Sequence, residues 1–385
     1  PNCARRWSDA VASMITTLAQ IAALIRKELL ALLKDPKSRS VLIGPPFIQL
    51  IVFGYAATFE LKDIPYAVYN EDRGAISRTV EAAFAGAPTF RRVATLSSEA
   101  EMAPLIDSRK ALLVIHIGPR FSADLQAGRP VPLQVIIDGR NSNTAMVALN
   151  YTRSIVNHFN DDWRAAKGLP DPPARLEIRA WFNPNLESRW FFIPGIVGML
   201  TLVVTMLVTA QTVAREREQG TFDQLLVTPL RPGEILIGKT LPGFFIGIIQ
   251  ATLILLVATL WFKVPFLGSL PAFYCGLALF LLSGVGAGLL ISALSATQQQ
   301  GLLGAFLFMV PAVILSGFAT PIANMPRAVQ IITYIDPLRY FLIILRKIFL
   351  EGAGFGLLLD QFWPLALIGS ATLLLAGWLF RHRMY

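Results

Sequence analysis

Cysteine and histidine are scarce in this 385-residue chain, which holds two and three of them. Cys3 lies near the N-terminus and Cys275 in an apolar run, so no disulfide framework is available. No spacing of His and Cys matches a zinc site. Charge is scarce as well. Asp, Glu, Lys and Arg make up 15% of the residues, against about 25% in soluble domains, too little to cover a globule with polar groups. Disorder is excluded from the opposite side, because 54% of the residues are hydrophobic and the mean hydropathy is +0.55. An integral membrane protein remains.

Crossing the hydrocarbon as a helix takes about 20 mainly apolar residues. Six windows qualify: 41–59, 190–213, 241–262, 271–296, 301–320 and 362–380, none of which contains Asp, Glu, Lys, Arg or His. Pro45, Pro46, Pro194 and Pro311 fall inside them, as membrane helices tolerate. The first window is too long and too far along the chain for a signal peptide. Orientation follows from Lys and Arg in the short loops. Residues 1–40, 214–240, 297–300 and 381–385 carry thirteen, and the short loops on the other side carry five. Both termini are therefore expected in the cytoplasm and 61–188 outside it. The net charge of +9 fits this orientation and contact with anionic lipid better than nucleic acid.

Residues 1–40 are expected to form an amphipathic N-terminal segment. Val11, Met14, Ile15, Leu18, Ile21, Ile25, Leu29 and Leu32 share one helical arc, with Thr16, Gln20, Lys27 and Lys34 opposite. Such a helix suits the membrane interface, packing on a partner being the alternative, and Pro36 ends it before the first span at 41–60. In the 61–188 segment, strand-like runs at Ile64–Tyr69, Leu112–Ile117, Leu133–Ile137 and Leu176–Phe182 alternate with helical patterns at Ile76–Phe84, Glu99–Asp107 and 143–167. This predicts a mixed α/β domain. It contains His116 and His158 but no nucleophile–base spacing, so a scaffold or docking role is expected rather than catalysis.

Gly233–Thr240 matches G-x-x-x-x-G-K-T literally. A phosphate-binding loop of that pattern follows a buried strand and needs a glycine-rich curl. Here Thr228-Pro229-Leu230-Arg231-Pro232 precedes it, its interior is Glu234-Ile235-Leu236-Ile237, and Lys239-Thr240 open a membrane span. The match is a false positive.

The connection after the second window carries more. Arg215, Glu216, Arg217 and Glu218 end the span, Gly220 permits a sharp turn, and Thr221 is placed to cap a new short helix. Phe222, Leu225 and Leu226 share a face and Pro229 ends the element. A short helix of this kind (214–230) fits a groove on a soluble partner and can carry its motion into the membrane; a plain interfacial connector is the alternative.

Arg215–Pro229 resembles the signature of the ABC-2 family of ABC transporter permeases. Phe182-Asn183-Pro184-Asn185-Leu186, Lys27-Glu28 with Lys34-Asp35-Pro36, Leu315-Ser316-Gly317-Phe318 with Met325-Pro326, and Tyr334–Phe341 extend the resemblance over nearly the whole chain. It is nearest the bacterial YbhS/YbhR/YhhJ-like group, which has a large periplasmic domain. The resemblance implies an α-helical integral membrane protein of the ABC-2, type V exporter-like kind. Each subunit has six transmembrane helices, and an extracytoplasmic α/β domain sits between the first and second. It further implies a dimer with a second copy or a sister permease in the inner membrane, and two cytoplasmic ABC ATPase subunits that hold ATP and magnesium. Arg215, Glu216, Glu218, Gly220 and Thr221 would shape a coupling helix, with Phe222, Leu225 and Leu226 in the ATPase groove. Residues 322–350 would be an external re-entrant segment whose Asp336, Arg339, Arg346 and Lys347 need partners or water. A periplasmic adaptor and outer-membrane channel are further expected partners.

The residues agree on the energy source. The spans hold no acid or base to relay a proton or ion, so the driving force must come from another chain. No catalytic residue, cofactor site or metal site is expected in this one. Thr205, Gln211, Gln250 and Tyr274, with Phe191 and Phe192 near the outer mouth, are the candidate pathway residues; cross-helix bonding is the competing role for the two glutamines. Gly243-x-x-x-Gly247 and Gly284-x-x-x-Gly288 allow close helix approach, in the bundle or at a dimer seam. An uncharged pathway suits export of an amphipathic drug or lipid. Lipid-linked polysaccharide export and a receptor with an external sensor domain are the rivals, the latter lacking a sizeable cytoplasmic output domain.

Overall fold

The computed structural model describes residues 17, 19–30, 34, 36–56, 61–170, 179–222, 224 and 231–383. The chain divides into two compact units, Pro1–Ala57 with Ala180–Tyr385, and Thr58–Arg179. Residues 19–30 are helical, and α1 follows at Pro36–Ala56, apolar over Pro46–Tyr55.

The α/β unit contains β1 (Ile64–Asn70), α2 (Ala75–Ala85), β2 (Phe90–Leu96), α3 (Met102–Asp107), β3 (Leu113–Ile117), α4 (Phe121–Gln126), β4 (Leu133–Ile137) and α5 (Ser142–Ala166). The sheet order is β2-β1-β3-β4. β1 pairs in parallel with β2 and β3, Ile64 opposite Phe90 and Tyr66 opposite Leu113, while β3 and β4 run antiparallel with Leu113 opposite Ile137. Alternation along β1 sends Ile64, Tyr66 and Val68 to a core shared with α2, α4 and α5, and Ala67 to a second core with Met102 of α3. Two strand readings need correction. β2 escapes a hydrophobic-pattern reading because Arg91 and Arg92 sit consecutively within it; as an edge strand it keeps them outward, paired with Asp63 at 2.9 Å and Glu81 at 3.1 Å. Of Leu176–Phe182, residues 176–178 lie outside the described residues and 179–182 form no strand.

The helical unit continues with α6 (Ser188–Glu218), α7 (Pro232–Leu256, prolonged by a wider turn at Val257–Trp261), α8 (Leu270–Leu294), α9 (Gln298–Leu315), α10 (Arg327–Ile332), α11 (Pro337–Leu350) and α12 (Phe355–Arg383). Five of its helices, α6 to α9 and α12, are long and apolar enough to cross a membrane; α10 and α11 form a pair bent by 83° that would make a sixth if counted as one span. The most apolar stretches of α6 and α8 are 72% and 67% buried against 22–39% for the other three, so α6 and α8 are the centre of the packing. Small residues allow this. A side chain at Gly243 of α7 would lie 2.5 Å from Thr209 of α6, and one at Gly288 of α8 would overlap the same threonine, so both glycine motifs close the bundle within one subunit. α9 stops at Leu315, short of the window's end, because Gly317 adopts a left-handed φ of +83°.

Candidate functional site

The connection leaving α6 is shaped by its own sequence. Gly220 has φ +68°, the Gly220 amide donates to the Arg217 carbonyl at 3.1 Å, and the Thr221 amide donates to Glu216 at 3.0 Å. These two bonds form a Schellman motif, which satisfies carbonyls that the helix end would otherwise leave free. The Thr221 hydroxyl also donates to the Glu216 carbonyl, at 3.4 Å.

Four consecutive charges precede this turn, and together they are fastened to four helical elements. Arg215 lies 3.6 Å from Glu28 on the N-terminal helical segment. Glu216 accepts from Lys27 at 3.0 Å and forms an ion pair with Lys239 of α7 at 2.6 Å. Arg217 donates to the carbonyls of Ala293 at 2.8 Å and Ser295 at 3.4 Å, at the C-terminal end of α8, where a cation is favoured. Glu218 accepts from the Gln298 amide at 2.8 Å, at the N-terminal end of α9. Successive residues point about 100° apart around a helix, so a run of four charges reaches out in four directions.

Lys239 is the hub's buried centre, with a side chain 1% exposed and its ammonium also 3.2 Å from Glu28. A lysine in an apolar helix is held there by two carboxylates that are themselves buried. Gly233–Thr240 thus forms the first turns of α7, and Lys239 points at Glu28 and Glu216 rather than into a phosphate cradle. Leu24 meets Gly238, so the N-terminal segment packs here through Leu24 and Glu28, on one flank of its apolar arc.

Phe222 turns inward: it is buried with Val213 and Ile235, packs edge-on to Phe380 at 6.1 Å and lies 5.0 Å beneath the Arg217 guanidinium. Its neighbours Leu225 and Leu226 lie outside the described residues. Glu28, Lys239, Ser295 and Phe380 are participants that sequence reasoning did not assign to this site. The available signal was the lone Lys239 opening an apolar run close to an unpaired-looking Glu216.

The candidate pathway residues are dispersed along the bundle. Thr205 is buried against Gly247, and its hydroxyl finds no hydrogen-bond partner among the described residues. Gln250, one turn past Gly247, is buried with both ends of its amide unbonded among the described residues. Gln211 is half-buried, and the Tyr274 hydroxyl shares a 3.0 Å bond with Thr252. Phe191 stacks 4.2 Å under the Arg346 guanidinium and edge-on to Phe192, which contacts Phe318. In the bent pair, Asp336 caps α11 through the Leu338 amide at 3.0 Å, Arg339 lies over Tyr334 at 4.1 Å, and Lys347 donates to the Leu357 carbonyl at 3.4 Å.

Long apolar helices around a centre of small residues, with charges gathered at one inter-helix turn, define a multi-pass membrane protein built to keep several helices in register with that turn. Its sequence places it more closely. Residues 40–380 match the family described as ABC-2 family transporter protein, and the chain belongs to that family. It is similar to the probable multidrug ABC transporter permease YbhR of Escherichia coli K12, at 43% identity over 361 residues, 94% of this chain and 98% of the relative. It is also similar to the probable multidrug ABC transporter permease YbhS (32%, covering 88% and 90%) and the inner membrane transport permease YhhJ (30%, covering 89% and 94%) of the same organism. The family is that of ABC transporter membrane subunits, which work with a cytoplasmic ABC ATPase.

Proposed function

We propose that this chain is the non-catalytic transmembrane subunit of an ATP-driven exporter and receives its driving force through the connection between α6 and α7. The observation that carries the reading is the fastening of Arg215, Glu216, Arg217 and Glu218 to four different helical elements. A push on the turn at Gly220 is thereby transmitted at once to the N-terminal segment, α7, α8 and α9. Phe222 anchors the turn from inside, and Leu225 and Leu226 supply the face that docks on the ATPase. ATP and magnesium stay with that partner.

In this reading the chain crosses a bacterial inner membrane six times with both termini cytoplasmic. Residues 1–40 lie along the interface, 41–60 form the first crossing, 61–188 are extracytoplasmic and 322–350 re-enter the outer leaflet. The exposed apolar face of α9, with Leu303, Leu307, Val310 and Ile314, meets lipid or a second permease. The passenger is an amphipathic drug, lipid or similar compound, consistent with the multidrug names of the relatives. Thr205 and Gln250, whose side chains are unbonded among the described residues, are polar groups on its route, and a periplasmic adaptor with an outer-membrane channel receives it.

The test is reconstitution with the ATPase in proteoliposomes. Gly220→Pro is expected to weaken ATPase co-purification and efflux together. Arg217→Leu, which cuts the tie to the end of α8 and the contact over Phe222, is expected to keep the ATPase bound while efflux falls by about tenfold. Wild-type efflux from both variants, or ATP hydrolysis by the purified chain alone, would overturn the reading.

A further inference from the structure

Among the described residues, the core of the α/β unit is complete at the centre of the sheet and incomplete at one end. Val68, Ile115 and Ile117 are at most 1% exposed. Leu133 and Val135 on the edge strand β4, and Ile155, Val156 and Phe159 facing them on α5, are only half-buried. Between these elements, α2 and α4 lies a cavity of about 340 Å³ whose floor is the buried Val80, Phe84 and Phe121. That volume falls within the roughly 300–1,000 Å³ of small-molecule sites, which combine apolar walls with a few polar groups. A void of this size weakens a fold when nothing occupies it, and an apolar lining holds water poorly.

The polar groups are sparse and one-sided. Among the residues lining the cavity, Arg153 carries the sole charge, with Asn157 and Asn160 on the same helix. The Thr152 hydroxyl is already committed to the Ala148 carbonyl at 2.8 Å. Arg153 makes no ion pair or hydrogen bond among the described residues. A guanidinium presents a planar fork of donors that suits carboxylate, phosphate or sulfonate oxygens.

We propose that this cavity is a binding site for an anionic amphiphile, its apolar body lying against Phe84, Phe121, Val135 and Phe159 and its head group at Arg153. Binding requires neither nucleotide nor a second protein, so failure here leaves the exporter reading intact.

The experiment titrates the full chain in lipid nanodiscs with anilinonaphthalene sulfonate, which pairs an apolar body with an anionic head, and with neutral phenylnaphthylamine. Fluorescence from empty nanodiscs is subtracted. Arg153→Glu, a change at an exposed position, is expected to weaken the sulfonate probe about tenfold and leave the neutral one unchanged. Ala83→Phe, which fills the cavity from α2, is expected to weaken both about tenfold while the melting temperature holds or rises. If Ala83→Phe does not fold, Arg153→Glu decides alone. Absence of saturable sulfonate binding to the wild-type chain, or unchanged affinity for the sulfonate probe in Arg153→Glu, would overturn the proposal.

Discussion

Lys239 is buried inside an apolar helix, and the reason it can be is visible in its two carboxylate neighbours, Glu28 and Glu216. Removing the ammonium takes away the cation the two buried carboxylates share, leaving Glu28 with Arg215 at 3.6 Å and Glu216 with Lys27 at 3.0 Å as the remaining counter-charges. Lys239→Met is therefore expected to destabilise the purified chain by ~3–5 kcal/mol, read as a lowered melting temperature in detergent. Lys239→Met combined with Glu28→Gln should recover part of the loss; a wild-type melting temperature in the single variant would count against a buried network. Asp138, half-buried in the α/β unit, illustrates a pair closer to solvent. Its carboxylate accepts from the Arg140 amide at 3.0 Å, Nε at 2.8 Å and the terminal nitrogen at 2.7 Å, and these bonds hold its pKa down to about 2 from the usual 3.8. Because the folded value is the lower one, the pair stabilises the α/β unit above about pH 4, and that contribution fades as pH falls toward 2. Arg140→Leu is expected to move acid unfolding of this unit to higher pH, followed by circular dichroism through a pH titration.

Helix packing is set by where side chains are absent. Gly243 and Gly247 on α7 and Gly288 on α8 all face the threonines of α6, Thr205 and Thr209, which are small enough to be met backbone to side chain. Gly288→Val is expected to force α8 off α6 and cost ~1–3 kcal/mol. Gly356→Ala on α12, with nothing within 4 Å of the added methyl, should stay within about 1 kcal/mol of wild type. Thermal melts of the two variants side by side provide the check. The glycine spacing announced a close approach from the sequence, but the identity of the facing helix is a property of the assembled bundle. The turn at Gly220 was more fully legible, since a charged helix end followed by glycine and a β-branched residue is a local pattern with one low-energy answer. The strand at Phe90–Leu96 was not, because an edge strand with one solvated side does not need the alternation that marks a central one.

At the scale of the molecule, the α/β unit has its own cores and sheet, and the helical unit holds the hub and the long helices. Separate cores imply separable roles. Replacing 61–178 by a short linker is expected to leave ATPase association intact and to abolish export, measured by co-purification and by efflux from proteoliposomes. Loss of ATPase association would show that the hub depends on the α/β unit. Full efflux would show that the unit is dispensable for export.

What the amino-acid order determined by itself is the membrane class, the approximate extent of the long helices, three of the four strands of the α/β unit, and the turn at Gly220. Each follows from hydropathy or backbone preference over a few consecutive residues, which neighbours in space cannot easily override. The tertiary structure alone decided which groups the charges serve. Glu28 and Lys239 are 211 residues apart in the chain, and no local pattern encodes that their opposite charges must meet for either to be buried. The inward turn of Phe222 onto Phe380 and the cavity beside Arg153 have the same origin. Both arise where distant elements fill, or fail to fill, the space between them.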